Sequence, residues 1–338
     1  MLKGNARAIF IGFVGSLAVL GGFYWYVGID ETLSVLSMAD TKILVLVVVG
    51  AMCWLVAWGM ALRTVLGVLG STITPVKATA IFSGVLFANN VTPFGQAGGE
   101  PISGLLISHA TDREYETGLA AIASVDALNF VPSIILATFG LGYLASSITF
   151  DGNLQYAAFT IVALAVVVPV SGYLGWQNRY RLERFTVSLI TPVIRTIRGT
   201  ILQREPLAEG SIEKRIEGFF SAIERIATTP RELALALGLS SLGWIAQGAC
   251  LWLSLYALGH VVSPVVVLIA IPIGAVAGVT PLPGGLAMIE LVLAAVISAL
   301  VVSISHPVIA AAVLIHRGAV YLLPTIVGGG VTAILASR

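Results

Sequence analysis

Six apolar runs dominate this chain, at about Ala8–Ile29, Ile43–Leu62, Thr117–Ala145, Leu154–Trp176, Leu233–Leu258 and Pro307–Leu335. A helix rises about 1.5 Å per residue, so roughly 20 apolar residues cross the hydrocarbon of a bilayer. Inside hydrocarbon each backbone N–H must bond within its own segment, so runs of this length read as membrane-spanning helices. Composition agrees. Of 338 residues, 57% are hydrophobic and 10% charged, whereas a soluble domain needs about 25% charged residues to cover its surface. The run from Ala8 follows Met1–Arg7 without an A-x-A-like cleavage site, so it reads as a retained first span.

Two further apolar stretches are interrupted. Val76–His109 is broken by Thr92-Pro93-Phe94-Gly95-Gln96-Ala97-Gly98-Gly99-Glu100-Pro101, and Ser263–Ser303 by Thr280-Pro281-Leu282-Pro283-Gly284-Gly285. Proline removes a helical N–H and clashes with the preceding turn, while glycine permits dihedrals a helix does not use. Each stretch therefore predicts a helix–break–helix unit. The arm Pro101–His109 is too short to cross, which makes the first unit a re-entrant hairpin. The arm Gly284–Val302 is nearly long enough to span, leaving the second unit open between re-entry and crossing.

Lysine and arginine set the expected orientation. Ten of the eighteen fall in Gln177–Glu232, and Lys3, Arg7, Arg63, Lys77 and Arg113 share that side if the six spans alternate. The other side holds Lys42 beside Asp30, Glu31, Asp40 and Asp151. The excess of basic residues in cytoplasmic loops places both termini and the loop 177–232 in the cytoplasm of a multi-pass plasma-membrane protein. Within that loop Ile212, Ile216, Phe219, Phe220, Ile223 and Ile226 recur at helical spacing. The resulting amphipathic helix has two readings: it lies on anionic headgroups, or it packs as a lid against the span ends. Thr229-Pro230-Arg231-Glu232 predicts a capped start for the fifth span, and Thr111 to Glu114 a similar cap for the third.

The two breaks resemble each other through a shared Val-Thr-Pro at Val91-Thr92-Pro93 and Val279-Thr280-Pro281, each followed by glycines and an acid, Glu100 or Glu290. Each unit precedes a span with a charge in apolar surroundings, Asp126 or Arg317, with Pro132 and Pro324 following. Two spans, a broken hairpin and one span, then the same again, make probable repeat halves 1–150 and 151–338 within a single membrane domain. With the first hairpin opening to the cytoplasm and the second outside, the halves are inverted, a plan that recurs among transporters. The fold expected is an all-α polytopic membrane protein of six transmembrane helices plus two Gly/Pro-broken helical hairpins.

The run Pro93 to Pro101, the run Thr280 to Leu286 with Glu290, and His316-Arg317-Gly318-Ala319-Val320-Tyr321-Leu322-Leu323-Pro324 resemble three ordered motifs. They are those of the flippase-like membrane region of the lysylphosphatidylglycerol synthase family and its stand-alone bacterial and archaeal relatives. The resemblance covers essentially the whole chain. It implies a protein connected with moving lipids, or lipid-linked intermediates, between leaflets. It does not carry lysyl-lipid synthesis over, because this chain has no room for a soluble aminoacyl-transferase domain. Some relatives accompany glycosyltransferases, so the substrate it implies is a phospholipid, a polyprenyl phosphate or a lipid-linked glycan.

Ionisable side chains at membrane depth are functional candidates, since each costs about 2.5–3.5 kcal/mol to insert. Arg317 stays charged and can fork onto a phosphate, so it is the candidate headgroup contact. The plainer alternative is a buried pair with Asp126. Helix arms restarting after Gly98-Gly99 and Gly284-Gly285 would aim free N–H groups at an anion; equally, those glycines let the hairpins approach closely. Asn90 and Gln96 add hydrogen-bonding groups. Glu100, Asp126 and Glu290 are coupling or structural acids, with helix capping the favoured reading for Glu100. Cys53 and Cys250 are isolated, and no nucleotide loop, nucleophile elbow, metal-ligand spacing or cofactor motif occurs. Catalysis, metal binding and ATP-driven transport are therefore not expected, and nothing points to nucleic acid. A lipid translocator is the leading expectation. The alternative is a membrane partner that recruits a lipid-modifying enzyme or glycosyltransferase through the basic loop.

Overall fold

The computed structural model describes residues 2–147, 170, 174, 177–178, 211–278 and 280–336. Most of the fourth predicted span and most of the basic loop lie outside the described residues. Those described form helices and no strands: α1 (Leu2–Val27), α2 (Ile29–Ser37), α3 (Thr41–Val68), α4 (Pro75–Val91), α5 (Gln96–Thr111), α6 (Tyr115–Ser147), α7 (Ser211–Ala227), α8 (Pro230–Ala257), α9 (Pro264–Ala277), α10 (Met288–Leu300), α11 (His306–Arg317) and α12 (Leu323–Ala336). Among the described residues, five helical stretches are long and apolar enough to cross a membrane, or six counting the bent pair α1–α2. The outer faces carry exposed Val48, Val56, Ile135, Phe139, Ile326 and Ile334, a surface suited to hydrocarbon rather than water.

The first span departs from expectation. Gly28 adopts φ 104°, and the helix axis turns by 82° there, so Ile29–Ser37 leaves as a separate helix with Asp30 and Glu31 in its first turn. Glycine alone tolerates this backbone without strain. Acids at a helix start also meet the positive end of its dipole. α2 then packs on α11.

Helices α3 and α8 form the central pair. Their ends are tied by the Asp40 N–H, which donates to the carbonyl of Ala257 at 2.8 Å. In the middle, Trp58 and Trp244 meet edge to face with centroids 5.6 Å apart. Trp58 Nε1 donates to Ser240 O, and Trp244 Nε1 to Asn129 O on α6. Buried indoles need such partners, since an unmade bond costs more than a made one gains.

Around this pair the contacts are reciprocal. α4 packs on α5 and α9 on α10; α5 on α6 and α10 on α11. The span after each hairpin crosses to the other: α6 packs on α9, and α12 on α4. The α12–α4 crossing is close. A Cβ at Gly328 would lie 1.9 Å from the Ser83 carbonyl oxygen, and helix backbones in membranes approach this closely only over small residues. Gly328→Val is expected to separate α12 from α4 and lower the melting temperature by several degrees, with full stability the contrary result.

The start of α5 also differs from the sequence reading. The helix restarts at Gln96, before Gly98-Gly99, and carries Pro101 inside it. Glu100 therefore lies beyond the first turn and is not a cap. The capping expectations at Thr111 and Thr229 are likewise corrected. Thr111 ends α5 and bonds back to Ile107 O. Thr229 bonds back to Arg225 O and Ile226 O, although Pro230 does open α8 as expected.

Three of the basic residues, Arg63, Arg113 and Arg225, lie together at one end of α3. Arg63 Nε donates to Ile73 O at 2.7 Å, Arg113 bonds Ser71 and Gly70, and Arg225 donates to Val68 O at the end of α3. Cations there satisfy carbonyls that the helix end leaves unpaired. α7 is helical as expected and packs on α6 and α8 with Ala222 and Ile226 buried. Its apolar face is covered by protein, which favours the lid reading over a headgroup-bound helix.

Candidate functional site

The two breaks meet. A Cβ at Gly95 in the first would stand 3.1 Å from the carbonyl oxygen of Gly278 at the end of α9. In the second, Pro283–Gly285 forms a short 3₁₀ turn, with Gly284 at φ 58° and Gly285 at φ 63°. Gly284 lies against α4, where a Cβ would fall 2.9 Å from Cα of Asn90. One break thus supplies the surface on which the other rests.

Arg317 ends α11 at this junction. It stands eleven residues after His306, the first residue of α11, or about 17 Å along the span, close to half of a ~30 Å hydrocarbon core. Its Nε donates to Glu290 Oε1 at 2.7 Å, with both side chains largely buried. Nη2 reaches Gly284 O at 3.4 Å, and the guanidinium lies 4.6 Å from the centroid of the Tyr321 ring. Glu290 sits in the first turn of α10, where the helix dipole favours a carboxylate. The pairing of Arg317 with Asp126 weighed from sequence is not the one formed.

Tyr321 and Thr325 tie the last helical stretch to Asn90 on α4. The Tyr321 hydroxyl donates to Asn90 O at 3.2 Å, while Asn90 Nδ2 donates to Thr325 Oγ1 at 2.7 Å. Between Arg317 and Tyr321 the chain widens into a π-helical stretch, Gly318–Leu322. Pro324 accounts for the widening: it offers no N–H to Val320 O and its ring crowds that carbonyl. Tyr24 of α1 lies within electrostatic reach of both Glu290 and Arg317, with a buried hydroxyl that has no partner. One Glu290 oxygen is also buried without a partner.

The other expected residues form a second group. Gln96 lies within side-chain hydrogen-bonding reach of Asp126, and Glu100 within electrostatic reach of it. Gly98 and Gly99 are packed, since a Cβ would meet Pro93 O at 1.9 Å or Asn89 Cα at 2.8 Å, and the Gly99 N–H already bonds Gly95 O. At this tip the close-packing reading of the glycines prevails over an open cradle of N–H groups. The structure therefore unites Arg317, Glu290, Asn90 and Gly284 through direct contacts, while Gln96 and Glu100 act on Asp126, and Gly99 packs on Asn89 next to Asn90. Gly285 packs on Gly278 between the breaks. Tyr321 entered the sequence reading only within the last motif and Thr325 not at all, although their i+4 and i+8 spacing from Arg317 puts them on one helix face. Tyr24 gave no sequence signal.

The family described as the lysylphosphatidylglycerol synthase TM region matches residues 9–328. The chain belongs to this family. It is also similar to archaeal proteins described as UPF0104 membrane proteins. One of Pyrococcus horikoshii is 22% identical, covering 90% of each chain. Another, of Methanothermobacter thermautotrophicus, is 22% identical over 97% of this chain and 93% of its own. A third, of Methanocaldococcus jannaschii, is 23% identical over 95% and 91%. The family match spans both breaks and ends beyond the Arg317 region, so the site lies wholly inside it.

Proposed function

We propose that this protein moves a phosphate-bearing lipid between leaflets, with Arg317 as the headgroup contact. The observation that carries the reading is a guanidinium near mid-span, at the junction of two helix breaks, held by a single carboxylate. An isolated charge at that depth is costly, and a permanent salt bridge is weak support for a fold, because desolvation offsets most of its attraction. A phosphate can replace Glu290 on Arg317 with two parallel charge-assisted bonds, while the lipid tails stay in hydrocarbon. The partner exchange supplies two states of similar energy.

The reading includes two inverted halves, about 1–150 and 151–338, that rock about the α3–α8 pair. It is supported by the reciprocal packing of α6 on α9 and α12 on α4. It is also supported by Asp126, which follows the first residue of α6 by the same eleven residues that separate Arg317 from the start of α11. Both termini and the α7 region face the cytoplasm of the cell membrane in this reading, by the distribution of basic residues. Helices α9 and α10 would each measure about 20 Å, short of the hydrocarbon thickness. Pro283–Leu300 taken together is long and apolar enough to cross; in this reading the hairpin is nevertheless re-entrant, and cysteines placed at the exposed ends Ser263 and Ser305 should label from the same side. Labelling from opposite sides would remove the re-entrant arrangement.

The test is lipid movement in proteoliposomes of the purified chain, using head-labelled anionic phospholipid, neutral phospholipid and polyprenyl phosphate. Faster equilibration of a phosphate-bearing lipid, lost on Arg317 substitution, is the expected result. The competing reading, a membrane partner for a lipid-modifying enzyme or glycosyltransferase, rests on the docked α7. It requires no acceleration for any lipid, and loss of cellular function on deletion of Ser211–Ala227.

A further inference from the structure

The first hairpin holds a pair of acids, the buried Asp126 and the partly buried Glu100, that the lipid reading does not use. Asp126 on α6 is only 5% exposed, and its Oδ2 has no hydrogen-bond partner. Glu100 on α5 is the charged group acting on it, and Gln96 reaches it from the turn above. Among the described residues neither acid has an ion-pair partner. Further buried oxygens nearby are also unsatisfied. Ser103 Oγ lies one turn beyond Glu100 on the same helix, and Asn89 Oδ1 lies against Gly99, the residue before Glu100.

In the second hairpin the matching acid, Glu290, is answered by Arg317 at 2.7 Å. In the first hairpin an acid stands where that arginine would be. The other elements packed on α6 do not supply the missing charge at this depth. α9 has no charged residue, α8 has Arg231 and Glu232 at its start, and α3 has Lys42 and Arg63 toward its ends. α7 has Glu213, Lys214, Arg215, Glu217, Glu224 and Arg225 in its sequence, of which Arg225 donates to Val68 O at the end of α3. Two carboxylates in an apolar interior do not both stay charged without a compensating cation. Among the described residues no third His, Cys, Asp or Glu side chain joins them, so a bound cation would find two carboxylates and neutral oxygens, too few charged ligands for a built divalent site.

We propose that Glu100 and Asp126 form a site for one monovalent cation, a proton or a sodium ion, between α5 and α6. The site is separate from the Arg317 junction and does not depend on what that junction binds. The pair carries one net negative charge when filled, so its occupancy is a means of linking an ion gradient to movement of the first hairpin.

Two measurements on the purified full-length chain test it, beside Asp126→Asn and Glu100→Gln, which keep the side-chain shapes. The first is thermal unfolding in sodium chloride against equimolar choline chloride. If sodium is the occupant, it raises the melting temperature of the unsubstituted protein by at least ~3 °C over choline, and this difference vanishes in either variant. The second is the infrared carbonyl band of a protonated carboxylic acid at neutral pH in the absence of sodium. If a proton is the occupant, the band is present in the unsubstituted protein and missing in Asp126→Asn or Glu100→Gln. No sodium-specific stabilisation together with no such band overturns the proposal, as does either signal persisting in both variants. These readouts involve no lipid transport, so failure of the cation site and failure of the lipid reading are distinguishable.

Discussion

Arg317→Ala is expected to reduce lipid movement to the protein-free rate, and also to lower the melting temperature. The two effects have different causes. Stability falls because Glu290, whose side chain is 4% exposed, loses its partner; breaking a buried pair on one side costs about 3–5 kcal/mol. Transport falls because nothing else at the junction binds phosphate bidentately. The double variant Arg317→Gln, Glu290→Gln separates the two. With both charges gone, the desolvation penalty goes as well, so stability should return to near that of the unsubstituted protein while transport stays absent. Arg317→Lys, which offers a point charge without the planar fork, should retain a small part of the activity. Full-rate transport by the double variant would end the headgroup assignment, whatever its stability.

Gly284→Ala carries the second large effect. At φ 58° the position is one that L side chains adopt at a cost of about 1–2 kcal/mol. The added Cβ would also lie 2.6 Å from the Tyr321 ring and 2.9 Å from Asn90 Cα. Asn90 presents backbone rather than a flexible side-chain end, so the two breaks must move apart, adding about 1–3 kcal/mol of packing strain. Because the same contact carries Tyr321 and the guanidinium over it, transport should fall at least tenfold, even in protein that stays folded. Gly238→Ala is the control: nothing lies within 4 Å of its Cβ, and alanine in place of glycine favours the helix by about 1 kcal/mol. Equal melting temperatures and rates for Gly284→Ala and Gly238→Ala would show that the contact between breaks has no role.

The sequence by itself determined that this chain is a helical membrane protein and where two apolar stretches break. These follow from local properties: the length of an apolar run, the missing N–H of proline, and the cost of a charge in hydrocarbon. It also marked Arg317, Glu290 and Asn90 as residues that apolar surroundings would not keep without a reason. Local patterns did not reveal the elbow at Gly28, because glycine is ordinary in membrane helices and nothing in the neighbouring residues marks this one for its positive φ. Nor did they reveal that α5 begins at Gln96, since Gly98, Gly99 and Pro101 all read as breakers. Contacts with Pro93 and Asn89 hold that turn helical. Only the tertiary structure decided that Arg317 answers Glu290 and leaves Asp126 with Glu100. Charge pairing across helices depends on which faces pack together, and periodicity within one helix does not specify its neighbour.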